Sequence, residues 1–106
     1  MAALHNLPTA YSGDHFPETG FTFDFDLTGQ TPTVVFQYNG GAFHTATTGS
    51  GLTVDLGTNT ITVEPFVLPT AARNAKLAYD LSLVDAAGSK TTYLFGFVPL
   101  TKDIAP

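Results

Sequence analysis

Cysteine and tryptophan are absent from the chain, and methionine occurs once. Without cysteine there is neither a disulfide framework nor a thiolate metal site, which excludes the small secreted scaffolds that rely on cross-links. Charge is scarce as well. Four basic and nine acidic side chains among 106 residues leave a formal net charge of −5, which argues against nucleic acid or an anionic membrane surface as partner. No stretch approaches the roughly 20 apolar residues of a membrane span. Met1 to Ala10 lacks the basic start and apolar centre of a secretory leader, so synthesis and folding in the cytoplasm are expected. Internal repeats and low-complexity tracts are missing too. A chain of this length forms one domain that buries roughly two-thirds of its unfolded surface.

What the chain does have is threonine, glycine and nine phenylalanines, a composition suited to strands and turns. The clearest stretch is Lys76 to Val98. Leu77, Tyr79, Leu81 and Leu83 recur with a period of two, the mark of a half-buried strand. Asp85-Ala86-Ala87-Gly88 then offers a type I turn followed by a glycine able to take the left-handed conformation of a three-residue hairpin loop. With Asp85 opposite Ser89, Leu83 faces Thr91, Leu81 faces Tyr93, Tyr79 faces Phe95 and Leu77 faces Phe97. Both strands then aim their large residues at one face. The other face pairs Ala78, Asp80, Ser82 and Val84 with Gly96, Leu94, Thr92 and Lys90. A slip of one residue would expose the aromatic row.

Upstream, residues 1–20 carry Pro8, Gly13, Pro17 and Gly20 without a sustained period and read as a loop-rich N-terminal arm, leaving 21–106 as the domain proper. Phe21, Phe23, Phe25 and Leu27 alternate with Thr22, Asp24, Asp26 and Thr28, predicting a strand with an acidic outer face. Val34 to Tyr38, the Asn39-Gly40-Gly41 turn and Phe43 to Thr47 predict a second hairpin. Thr48-Gly49-Ser50-Gly51 makes a corner. Leu52, Val54 and Leu56, a Gly57-Thr58-Asn59 turn and Thr60 to Val63 make a third hairpin. Pro65 and Pro69 restrict Phe66-Val67-Leu68 to an edge or a crossing connection, and Thr70 to Ala75 suits a short helical turn. About seven or eight short strands separated by such turns predict an all-β fold, an antiparallel two-sheet sandwich of immunoglobulin-like or jelly-roll-like form.

Residues able to carry chemistry are few and scattered. His5, His15 and His44 lie too far apart to form a short-spaced metal pair. Asp24 and Asp26 point outward together, the geometry of a weak calcium site or a carboxylate pair, and equally of a solvated strand face that discourages edge pairing. Gly49-Ser50-Gly51 is followed by neither Gly-Lys-Ser/Thr nor a helix, so it is a turn and not a phosphate loop. No strand-to-helix elbow presents a serine nucleophile. The sequence therefore predicts neither catalysis nor a cofactor or metal. Tyr11, Phe16, Tyr38, Phe43 and Phe66 fall outside the alternating rows. They are candidates for core filling, for a protein interface, or for stacking on sugar rings.

From Gly13-Asp14 onward the motifs occur in a recognisable order. Asp26-Leu27-Thr28-Gly29 leads into Val34-Val35-Phe36-Gln37; then come Gly49-Ser50-Gly51-Leu52-Thr53-Val54, Ile61-Thr62-Val63, Tyr79-Asp80-Leu81, Asp85 to Gly88 with Thr92, Gly96, and Lys102-Asp103-Ile104. In this order the chain resembles the small β-sandwich domain of bacteriophage baseplate and tail proteins, as found at the N-terminus of the baseplate upper protein. The resemblance implies a non-enzymatic virion component of the tail, baseplate or fibre attachment, or alternatively of the collar or head decoration. Such a component works through other virion subunits, commonly as a symmetric homo-oligomer. It also implies a structural role for Asp14, Leu27, Gly29, Tyr79, Asp80, Gly88 and Gly96; the contact candidates Tyr11, Phe16, Phe43 and Phe66 come from the residues themselves. The alternative from the residues themselves is a carbohydrate-binding sandwich in which Tyr11, Phe43 or Phe66 stacks on a host surface glycan. A small inhibitor or adaptor of a host protein is a third reading, resting on size and acidity alone.

Overall fold

The computed structural model describes residues 3–4, 7, 10–11, 14–38, 41–69 and 75–101. The protein is all-β, with no helix among these residues. Its strands are β1 (Ala3–Leu4), β2 (Ala10–Tyr11), β3 (Thr19–Thr22), β4 (Thr31–Tyr38), β5 (Gly41–Thr48), β6 (Gly51–Asp55), β7 (Thr60–Val63), β8 (Ala75–Val84) and β9 (Lys90–Thr101). They form one hydrogen-bonded path, β1-β9-β8-β4-β5-β6-β7-β3, with β2 also on β9. The sequence predicts two antiparallel sheets; in the structure the described strands join in one continuous path. The sheet is single and mixed, because β1 and β2 run parallel to β9 and β6 runs parallel to β5.

The sheet curls strongly. β3 lies five strand positions from β8, about 24 Å away in a flat sheet, yet the Phe21 and Tyr79 rings sit 6.2 Å apart. At the β5–β6 corner the Thr47 and Ser50 amides each donate to the other's carbonyl, and Gly49 N–H donates to the Leu52 carbonyl. Gly49 and Gly51 hold φ of 80° and 96°, a region open to glycine and strained for other residues. The corner expected at Thr48 to Gly51 is a tightly bonded one. Inside the curl lie Val34 and Phe36 of β4, Ile61 and Val63 of β7, Leu77, Tyr79, Leu81 and Leu83 of β8, and Val98 and Leu100 of β9.

The organising hairpin turns as its residues predict. Gly88 has φ 87°, Asp85 N–H donates to the Ser89 carbonyl, and the Asp85 Oδ1 accepts from the Ala87 and Ser89 amides at 2.9 Å each. Beyond Ser82, which faces Thr92, the register changes. Leu81 faces Leu94, Tyr79 faces Gly96 and Leu77 faces Val98, so Tyr93 is an extra residue in a β-bulge. Tyr93 and Leu94 both pack on the core, Tyr93 against the rings of Phe23 and Phe25. The expected pairs Leu81–Tyr93, Tyr79–Phe95 and Leu77–Phe97 are thereby corrected, and Phe95 and Phe97 move to the outer face.

Two further strands stop earlier than their alternation predicts. β3 ends at Thr22 because its partner β7 begins at Thr60. Asn59, at φ 52°, then holds the chain instead: its carbonyl accepts from Phe23 N–H and its Oδ1 from Leu27 N–H. Phe23 and Phe25 are half-buried and Leu27 is buried. β6 ends at Asp55, whose Oδ1 accepts from Gly57 N–H, and this leaves Leu56 exposed in the turn.

The arm is not detached. Ala3 and Ala10 pair with Leu94 and Leu100, and buried Leu7 donates its N–H to the Phe97 carbonyl. His15 bridges Val67, and Phe16 N–H donates to the Phe66 carbonyl, fastening the arm to the proline-bracketed connection. Of the expected helical turn, residues 70–74 lie outside the described residues and Ala75 opens β8.

Candidate functional site

Because the bulge turns Phe95 and Phe97 outward, the outer face of β4, β8 and β9 carries a mixed apolar and charged surface. The register aligns Gln37, Ala78 and Phe97 in one line across the three strands, and Val35, Asp80 and Phe95 in the next. Lys76 faces Pro99 one step further along. Phe95 is 42% exposed, a high value for a ring. It borders a shallow depression of about 90 Å³ with Val35, Gln37, Ala78 and Asp80. The Lys76 Nζ stands 4.3 Å from the Phe97 ring centroid, a cation–π contact that holds the ammonium over the face. Aromatic surface, an amide, a carboxylate and an ammonium thus share one side of three strands. Such a surface can stack on a ring, accept a hydrogen bond, or be covered by another protein.

No protein-family model and no curated protein matches the chain.

The aromatics singled out in the sequence are dispersed by the fold. Phe16 and Phe66 are 2% and 9% exposed, and with Phe36 they form a ring cluster with centroids 4.9–5.3 Å apart. They fill the core, which corrects their candidacy as contact residues. Phe43, the extra residue of a second bulge opposite Phe36 and Gln37, is 43% exposed. Tyr11 lies in β2, and its side chain is outside the described residues. Tyr79 is interior, and burial pushes its hydroxyl up to about 12, so it remains neutral. Asp14 is exposed while its carbonyl accepts from Leu68 N–H. Leu27 is buried, Gly29 takes φ 80° in the turn closed by Gln30 N–H on the Leu27 carbonyl, and Gly96 is buried opposite Tyr79. Asp80 alone among these motif residues lies on the outer face.

Two other places hold polar groups or space. Among the described residues no three His, Asp or Glu side chains converge as a metal site would require. Asp26 is exposed, and its carboxyl is held below the usual range by the hydrogen bond from Thr28 N–H. His44 stacks on Phe66 at 4.0 Å and 13°, and its Nε2 is buried without a hydrogen-bond partner among the described residues. Burial lowers its pKa. A groove of about 530 Å³ lined by Gly20, Phe21, Thr22, Phe23, Asp24 and Leu94 runs between β3 and β9, where the two ends of the curl approach.

Phe95 and Phe97 are the residues that the expected register hides. A signal for them existed: Leu94, Val98 and Leu100 form a second apolar row in β9, and glycine at position 96 leaves room on that row opposite Tyr79.

Proposed function

We propose that this protein is a non-enzymatic structural module that works by protein–protein assembly, as a bacteriophage virion component of the tail, baseplate or fibre attachment. The observation that carries the assembly reading is the outer face of β4, β8 and β9, with Phe95 exposed beside Phe97 on the side of the sheet away from the buried core. Single exposed apolar residues are ordinary, whereas an exposed and a half-buried aromatic side by side on one face suit a contact surface. The virion assignment is supported by the ordered motifs from Asp14 to Gly96. In this reading the β6–β7–β3 limb, laid over β8 through Phe21 and Tyr79, serves as the second layer of the sandwich that those motifs imply.

The test is the native mass by light scattering across a wide concentration range. A discrete assembly larger than the monomer, weakened by Phe95→Ser, is expected; a strict monomer at every concentration overturns self-assembly. One observation favours a second reading, a glycan-binding face, because Phe95 stands beside Asp80 and Gln37 as a stacking ring with hydrogen-bonding neighbours. Binding to a glycan array that is lost in Phe95→Ser would select it.

A further inference from the structure

The first three positions of the outward row of β8, which continues through Ser82 and Val84, are Lys76, Ala78 and Asp80, with a cation and an anion about 13 Å apart and the smallest side chain midway. Reversed end for end about Ala78, these three positions exchange their charges and keep the small residue at the centre. From this we infer that the face binds a second copy of the same chain, about a two-fold axis that lies between the two sheets and crosses the strands at Ala78. The inference rests on the assembly reading above and names its partner.

The register makes the rest of the face agree. The axis follows the line of Gln37, Ala78 and Phe97, so each of these residues meets its own counterpart, as a two-fold contact requires. A glutamine amide is both donor and acceptor and pairs with itself. Two Phe97 rings meet across the axis, Phe95 covers the second copy's Pro99, and Lys76 stands over the second copy's Asp80. Ala78 at the centre lets the sheets approach the roughly 10 Å of face-to-face packing. Charge also favours this side. Each copy carries a net −5, so most approaches are repulsive, while Lys76 and Asp80 make this patch locally neutral and complementary. Three strands of seven residues span roughly 14 by 23 Å, less than the about 800 Å² per partner of a durable complex. The dimer is accordingly weak and forms reversibly at high concentration.

Charge exchange tests the geometry. Sedimentation velocity from micromolar to millimolar protein is run on the wild type, on Lys76→Asp, on Asp80→Lys and on an equimolar mixture of the two variants, with circular dichroism confirming that each is folded. The wild type dimerises, and each variant alone dimerises at least tenfold more weakly, including Asp80→Lys, which makes the chain less negative and so should gain from relief of general repulsion. The mixture forms a heterodimer of near wild-type strength. If the wild type self-associates and neither substitution changes it, this face is not the contact, although the assembly reading stands. A wild type that is monomeric at millimolar concentration overturns both. Two variants that lose association without rescue by mixing overturn the two-fold arrangement.

Discussion

His44 shows how one side chain couples this core to pH. Its half-buried ring stacks on Phe66, near Phe36 at 6.2 Å, with a buried Nε2 that lacks a partner among the described residues. Protonation would bury an uncompensated charge, so the folded pKa lies below the ordinary 6.5. The unfolded chain binds a proton near 6.5 and the folded chain binds it only at lower pH. The contribution of His44 is therefore fully present above 6.5, lost as pH falls from there to the depressed value, and constant below it. The melting temperature is expected to drop between pH 8 and pH 5, and His44→Phe, which keeps the stack without the titration, is expected to reduce that drop. An identical drop in the variant would show that His44 does not carry it. Gly51 lies against the same ring: a methyl group there would come within 3.1 Å of the Ala46 Cβ and 3.6 Å of the His44 Nε2.

At the scale of the element, the β8–β9 hairpin separates what was legible from what was not. β8 has one apolar frame, so its inner row could be read directly from alternation. The turn was legible because Asp85 and Gly88 have few alternative uses at that spacing. β9 offers two apolar frames, Tyr93, Phe95 and Phe97 or Leu94, Val98 and Leu100, and local pattern cannot choose between them. The bulge at Tyr93 does, and it is stabilised from a distance by Phe23 and Phe25. That is why the main candidate face was hidden, while Phe16 and Phe66, whose burial depends on long-range packing, looked available. The early end of β3 has the same origin, since it depends on where β7 stops and on the Asn59 side chain. The turn also permits a direct measurement. Gly88→Ala forces a side chain into φ 87°, and Asp85→Ala removes two carboxylate hydrogen bonds in an exposed loop. Each is expected to lower unfolding stability by about 1–2 kcal/mol in urea titrations with unchanged m-value. A loss in either below a few tenths of a kcal/mol would show that the turn follows the strands and does not fix their register.

For the molecule as a whole, the largest departure from expectation is the arm. Its prolines and irregular pattern read as a loop-rich arm outside the domain proper, because parallel pairing of two-residue strands leaves no periodic trace. In the structure β1 and β2 cover the outer edge of β9, Leu7 is inserted in the core, and the Asp14 carbonyl ties the arm to Leu68. Removing residues 1–14 takes away a buried leucine, unpairs one edge of the longest strand and releases the connection before β8. Loss of the leucine alone, in Leu7→Ala, is expected to cost about 2–5 kcal/mol, and the truncated chain more, with the bare β9 edge promoting aggregation. Thermal unfolding of the two variants beside the full chain decides the point. A truncated protein that melts with the full-length chain but fails to self-associate would give the arm a role in assembly and none in the fold. Strong destabilisation, with Leu7→Ala showing a smaller loss in the same direction, makes the arm part of the fold and leaves the outer face of β4, β8 and β9 as the proposed contact surface.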